Sequence, residues 1–210
     1  MKHFVAVAGN IGVGKSSLTE LLAQKLGWEP FYEAVEENPY LADFYRDMAT
    51  WSFHSQVFFL SRRLRHHHAL VEHPGSVLQD RTVYEDAEIF ARNLYRQGHM
   101  SEREWRTYHD LYRSIAAFLP PPDLVVYLRA SVPTLLKRIG LRGRDFERAI
   151  SEQYLSQLNK LYDEWVRDFS LCPVLTVETD NLDFVQIEEH MEHIARRIEE
   201  RLHGRETIEL

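Results

Sequence analysis

An α/β fold, a doubly wound parallel sheet of about five strands flanked by helices, is predicted by three features of this sequence. Short apolar runs alternate with long helical stretches along the chain. The first apolar run passes through a glycine-rich turn directly into an amphipathic helix. The length of 210 residues suits one core, and no repeat or linker interrupts it, so a single domain over 1–210 is expected.

Each element has its own signal. Phe4 to Ala8 has no polar interruption, the pattern of a strand buried on both faces. In the helix Ser16 to Leu26, Leu18, Leu21, Leu22 and Leu26 recur at helical spacing, and Gly27 is its stop. Trp28 to Tyr32 reads as a second strand, ending at Glu33. Pro39 to Met48, Trp51 to His73 and Val83 to Gln97 read as helices, with Ser76 to Gln79 as a strand between the last two. Ser101 to Leu119 is helical, opened by the capping-box spacing of Ser101 and Glu104 and stopped by Pro120, Pro121 and Pro122. Leu124 to Leu128 is a strand. Val132 to Ile139 and Phe146 to Phe169 are helices separated by an Arg/Gly-rich loop. A strand, Pro173 to Val177, and a helix, Phe184 to Leu202, complete the order.

Composition narrows the function. Hydrophobic residues at 44% and charged residues at 27% are an ordinary globular mixture. Lys and Arg number 25 against 32 Asp and Glu, a net charge of −7, which argues against a nucleic-acid partner held by bulk charge. Phosphate must therefore be bound locally. A single cysteine, Cys172, excludes an intramolecular disulfide framework and a multi-cysteine metal cage. No signal-like segment and no run near the ~20 apolar residues of a membrane span is found, so a cytoplasmic protein without a membrane partner is expected. His66, His67 and His68 are consecutive on a helix, point about 100° apart and do not converge on one ion.

Gly9-Asn10-Ile11-Gly12-Val13-Gly14-Lys15-Ser16 has the spacing G-x-x-x-x-G-K-[ST] and lies between a buried strand and a helix, as a phosphate-binding loop must. Its backbone N–H groups form an anion-binding concavity, Lys15 reaches the β and γ phosphates of a nucleoside triphosphate, and the Ser16 hydroxyl is placed to ligate Mg²⁺. The guanine-reading N-K-x-D segment of switch GTPases is absent, and motor or transporter ATPases need longer chains. A small phosphoryl-transfer kinase remains. Such an enzyme needs a carboxylate near the acceptor hydroxyl, cations around the transferred group and a lid that excludes water. On residues alone, Glu33 is a catalytic carboxylate or a solvent-facing strand end, and Asp80-Arg81 a site pair or a structural ion pair. Arg138, Arg142 and Arg144 are likewise a lid or a solvated basic face.

The loop with Ser17, together with Glu33-Ala34-Val35, Glu37-Asn38-Pro39-Tyr40-Leu41, Trp51-Ser52-Phe53, Gln56, Asp80-Arg81-Thr82 and Arg138-Ile139-Gly140-Leu141-Arg142-Gly143-Arg144, resembles the deoxyribonucleoside kinase family over essentially the whole chain. The Asn-Pro-Tyr-Leu segment resembles its bacterial deoxyadenosine/deoxyguanosine kinase branch. The resemblance implies a P-loop kinase fold with an Arg-rich lid at about 138–147, ATP as co-substrate, Mg²⁺ on Ser16 and Asp80, and a homodimer. It implies that Glu33 is the base for the deoxyribose 5′-hydroxyl, that Arg81 bridges the acceptor oxygen and the phosphates, and that the lid arginines neutralise the transferring phosphoryl. Glu147 and Tyr45 would contact the sugar 3′-hydroxyl. Gln56, Arg63 and Asp86 would read the base between Phe90 and Phe53, and Asp183-Phe184 would border the donor adenine. The expected activity is 5′-phosphorylation of a purine deoxynucleoside in nucleotide salvage. The alternatives are a deoxycytidine or broad-specificity kinase, a thymidylate-type nucleotide kinase and a catalytically silent nucleotide-binding subunit.

Overall fold

The computed structural model describes residues 2–32, 37–144, 147 and 150–203. Its five strands are Phe4–Gly9 (β1), Glu29–Phe31 (β2), Val77–Asp80 (β3), Leu124–Arg129 (β4) and Val174–Glu178 (β5). They form one sheet in the order β2-β3-β1-β4-β5, with every neighbouring pair parallel. The chain leaves β1 toward β2 on one side and β4 toward β5 on the other, so the C-terminal ends of β1 and β4 flank a topological switch point, where such sheets bind ligands. β1 is buried at every position, as its unbroken apolar run requires.

The helices are Lys15–Leu26 (α1), Leu41–Arg46 (α2), Met48–Glu72 (α3), Val83–Glu85 (α4), Arg92–Arg96 (α5), Glu102–Ala116 (α6), Val132–Arg142 (α7), Glu152–Asp168 (α8) and Glu188–His203 (α9). α1 lies against β1 and β3, and α9 against β4; α3, α6 and α8 each pack against the segment that joins α4 to α5. Leu18, Leu22, Leu135, Leu155, Leu158 and Ile198 carry these contacts into a core continuous with the sheet. α1 ends at Gly27 and α6 opens with the Ser101–Glu104 capping box, both as the sequence predicts.

α3 starts at Met48 rather than Trp51 and α6 stops at Ala116 rather than Leu119; four further differences from the periodicity have a local reason. Residues Asp86–Ala91 form a π-helical segment between α4 and α5, where an α-helix is expected throughout. Such wide turns recur at functional sites, and this one carries Asp86 and Phe90. α7 runs past Ile139 to Arg142 because buried Leu135 and Ile139 anchor one face, which offsets the roughly 1 kcal/mol cost of Gly140 in the helix. α8 begins at Glu152, since the Ser151 side chain accepts the Tyr154 N–H as its N-cap, and Phe146, the expected start, lies outside the described residues. α9 begins at Glu188 rather than Phe184 because the Asp183 carboxylate accepts the N–H groups of Val185 and Gln186 and holds that stretch as a turn. Among the described residues no helix is long and apolar enough to cross a membrane.

Leu22 is fully buried on the face of α1 that meets the sheet. Leu22→Ala is expected to lower unfolding free energy by about 2–5 kcal/mol, read from the midpoint of a urea transition.

Candidate active site

The phosphate loop closes on a steric constraint. Gly9 has φ +147°, and a Cβ there would lie 2.6 Å from the Leu128 carbonyl oxygen, a backbone atom that cannot yield. Helix α8 braces the loop from behind. Asn10 Nδ2 donates to Leu155 O (3.0 Å) and Asn159 Oδ1 (2.7 Å), while Asn10 Oδ1 accepts the Ile11 N–H at 2.7 Å. Lys15 is buried and donates from Nζ to Asn10 O at 3.1 Å, so its ammonium is held over the loop. Ser17 stands at the exposed first turn of α1.

Parallel pairing of β1 and β3, with Val7 opposite Asp80, brings Asp80 and Arg81 beside this loop. Ser16 Oγ donates to Asp80 Oδ2 at 2.5 Å. Asp80 Oδ1 is buried and has no hydrogen-bond partner among the described residues. An orphaned buried carboxylate oxygen beside a hydroxyl fits a Mg²⁺ that keeps most of its ligands as water and substrate phosphates. Arg81 takes the left-handed backbone conformation at φ +68°, at a cost of about 1–2 kcal/mol for a residue with a side chain. Its N–H donates to Val7 O (3.0 Å) and its guanidinium lies 4.1 Å from the centroid of the Phe90 ring. Glu33 lies outside the described residues.

Two cavities meet at this point. One, about 760 Å³, is bordered by the loop from Gly12 to Ser17, by Arg138 and Leu141 of α7, and by 180–187. The other, about 100 Å³, is bordered by Tyr45, Gln56, Phe59, Arg81, Phe90 and Tyr154 among others. Gly12, Lys15, Ser16, Arg142 and Arg144 belong to both. Asp183 and Phe184 lie in the wall of the larger cavity, and the Phe184 ring covers Gly14, where an added Cβ would be 3.0 Å from Cζ.

Arg138 stands on α7 as expected, Arg142 stands on its last turn rather than on a loop, and the cluster divides its work. Arg138 donates to Val13 O (3.0 Å), Thr179 Oγ1 (3.0 Å) and Thr179 O (2.7 Å), tying the phosphate loop to the residue after β5. Burial lowers the pKa of Arg138, and the neighbouring Asp180 and Asp183 act against that shift. Arg142 makes a two-pronged pair with the buried Glu147, Nε to Oε2 at 3.0 Å and Nη2 to Oε1 at 2.5 Å, and Arg144 approaches the same carboxylate at 3.7 Å.

At the far end, Arg63 of α3 and Asp86 form a buried bidentate pair, Nε to Oδ2 at 3.0 Å and Nη2 to Oδ1 at 3.4 Å. Arg63 Nη1 also donates to Asp80 O at 3.0 Å, which joins this pair to the Arg81 turn. Gln56 and Phe90 line the smaller cavity, whereas Arg63 and Asp86 are not among the residues that border it. Phe53 does not line it; it packs against the core, and Phe59, six residues further along α3, supplies an aromatic wall instead.

Sequence patterns passed over Phe59, Tyr154 and Glu85. Glu85 is fully buried and its Oε1 accepts the N–H of Gly9 at 3.1 Å. The signal for it is present, since Thr82 and Glu85 have the S/T-x-x-E spacing and form a capping box at the start of α4. Among the described residues no group of three His, Cys, Asp or Glu side chains could hold a metal. Cys172 is a free, half-buried thiol whose pKa is pushed up to about 11 by burial, as an inert cysteine requires.

Known proteins resemble this chain in sequence and fold. The family model for deoxynucleoside kinases matches residues 5–203. A deoxyadenosine/deoxycytidine kinase of Bacillus subtilis (strain 168) is 37% identical over 201 residues, 95% of this chain and 93% of that protein. A deoxyguanosine kinase of the same organism is 35% identical over 201 residues, 94% of this chain and 96% of its own. The structure of deoxyadenosine kinase from M. mycoides with bound dCTP superposes with a TM-score of 0.82 at 32% identity, covering 93% of this chain and 98% of that one. The same kinase with bound dATP gives 0.81 at 33% identity, covering 94% and 99%. On the match of the family model over residues 5–203 and the 37% identity to a curated relative over 95% of its own length, the chain belongs to the deoxynucleoside kinase family.

Proposed function

We propose that this chain transfers the γ-phosphoryl group of ATP to the 5′-hydroxyl of a purine deoxynucleoside, deoxyadenosine or deoxyguanosine, giving the monophosphate for nucleotide salvage. The observation that carries this reading is the wall shared by the two cavities. Lys15, Arg142 and Arg144 reach a donor chamber on one side and an acceptor chamber on the other, where charge on a transferring phosphoryl develops. Similarity to relatives named for deoxyadenosine and deoxyguanosine supports the purine assignment.

In this reading the loop N–H groups and Lys15 hold the β and γ phosphates. Glu33 takes the proton of the 5′-hydroxyl; the acceptor oxygen bonds to the γ phosphorus as the bond to the bridging oxygen breaks, and ADP leaves with that electron pair. Arg81 spans the acceptor oxygen and the phosphoryl group, and Arg142 and Arg144 neutralise its outer oxygens. Ser16 and Asp80 are the residues that would hold Mg²⁺, whose charge screens the β and γ oxygens when bound. Glu147 and Tyr45 take the 3′-hydroxyl. Gln56 offers donor and acceptor side by side to a base edge, and the Arg63–Asp86 pair favours a purine or cytosine over thymine. Half-buried Leu64 and exposed Val71 on α3 support pairing of two copies.

Initial rates with the four deoxynucleosides and their ribo counterparts, ATP and Mg²⁺ test the reading. Strong turnover of deoxyadenosine or deoxyguanosine is expected; preference for deoxycytidine would move the assignment to the deoxycytidine branch, and activity on none would overturn it. Glu33→Gln should reduce kcat by about 10²–10⁴-fold while leaving nucleoside affinity nearly unchanged, measured by steady-state kinetics and calorimetry. Arg63→Met together with Asp86→Ala, which leaves no lone buried charge, should shift selectivity away from purines in a competition assay. Sedimentation velocity should find a dimer, and a monomer at all concentrations would remove that part of the proposal.

A further inference from the structure

Glu85 sits beneath the site, lining neither of its two cavities, yet it joins its two halves. Each carboxyl oxygen takes a different backbone N–H. Oε1 accepts from Gly9, the first residue of the phosphate loop, at 3.1 Å, and Oε2 accepts from Thr82, the residue after Arg81, at 2.8 Å. Tyr162 of α8 adds a third strand to the clasp, its hydroxyl lying 2.8 Å from Glu85 Oε1 and 2.7 Å from Gly9 O. An amide could not replace this group, because it has one acceptor oxygen and would set its NH₂ against the other N–H. The clasp is dry and rigid: Glu85 and Tyr162 are fully buried, and Tyr127 stacks on the Tyr162 ring at 5.5 Å between centroids. Burial holds the Glu85 pKa above the usual carboxyl range, and the charges of Arg81 and Lys15 pull it back down, so the group is in electrostatic contact with both cations of the site.

We propose that Glu85, with Tyr162, is a positioning residue for phosphoryl transfer, setting the distance between the phosphate loop and the Arg81 turn. The inference rests on the phosphoryl-transfer reading. In-line transfer requires donor and acceptor groups to be placed within a fraction of an ångström, and a displacement of about 1 Å costs on the order of a hundredfold in rate. Gly9 governs where the phosphates lie, and Arg81, held at positive φ, governs the acceptor side. A link between them acts on the transition state and little on either substrate alone.

The test is steady-state kinetics of Glu85→Gln, Tyr162→Phe and the double variant, at a temperature where circular dichroism shows each folded. Glu85→Gln should lower kcat by about tenfold or more with KM for ATP and nucleoside within about threefold. Tyr162→Phe keeps the ring packing and should lose less, and the double variant should lose no more than Glu85→Gln alone, because both break one clasp. Unchanged kcat in folded Glu85→Gln, a rise confined to KM, or losses that multiply in the double variant would each overturn the proposal while leaving the kinase reading intact. Should Glu85→Gln not fold, unchanged kcat in Tyr162→Phe has the same force. Absence of turnover in the parent protein overturns both readings.

Discussion

The pairing of β1 with β3 is the constraint on which the site depends. Val7 faces Asp80 across the pair, and the next bond in the ladder, Arg81 N–H to Val7 O, carries the register one residue past the end of β3. At the opposite end, Phe4 N–H is taken by Asp123 Oδ2 and His3 N–H by Ser76 Oγ, so β1 is fixed at both termini by groups outside it. A slip of one residue would turn every side chain of β3 to the other face. Asp80 would then leave Ser16, and Arg81 would no longer stand over Phe90. The apolar continuity of β1 makes the strand, but polar groups at its ends decide where its neighbour stops.

Charge is concentrated where the whole molecule is electronegative. The chain has a net charge of −7, yet Lys15, Arg81, Arg138, Arg142 and Arg144 gather within one region. Four are held in place by different kinds of contact: a loop carbonyl for Lys15, an aromatic face for Arg81, carbonyls and a hydroxyl for Arg138, and the Glu147 carboxylate for Arg142, which Arg144 approaches as well. Neutral partners cost little to exchange for phosphate oxygens, whereas a buried carboxylate orients its arginine firmly. By contrast, exposed pairs such as Arg46–Asp43 and Arg197–Glu200 contribute well under about 1 kcal/mol each and bear on solubility more than on the site.

Much of this was legible in the sequence because it rests on local rules. Apolar runs mark buried strands, leucine spacing marks α1, and the glycine and lysine pattern marks the phosphate loop with its flanks. Residues at strand ends, Asp80 and Arg81, follow from the parallel sheet. What escaped depends on tertiary contact. The π-helical segment has no periodic signature, since it arises where Asp86 meets Arg63 and Phe90 meets Arg81. Phe59 replaces Phe53 at the cavity because which face of α3 turns inward is decided by its packing partners. Glu85 was hidden for a similar reason: its capping-box spacing announces a helix start, while its second role, reaching the Gly9 amide 76 positions away, exists only in the folded chain.

The wall common to the two chambers also governs the stereochemistry of the proposed reaction. With donor and acceptor on either side of Lys15, Arg142 and Arg144, both substrates occupy the protein together, and the phosphoryl group crosses in one displacement. The Ser16 hydroxyl in that wall is committed to Asp80. A single crossing turns the phosphorus centre inside out, whereas a relay through a protein side chain would restore it. A γ-phosphate made chiral with oxygen isotopes would therefore emerge with inverted configuration, a record of the architecture written into the product.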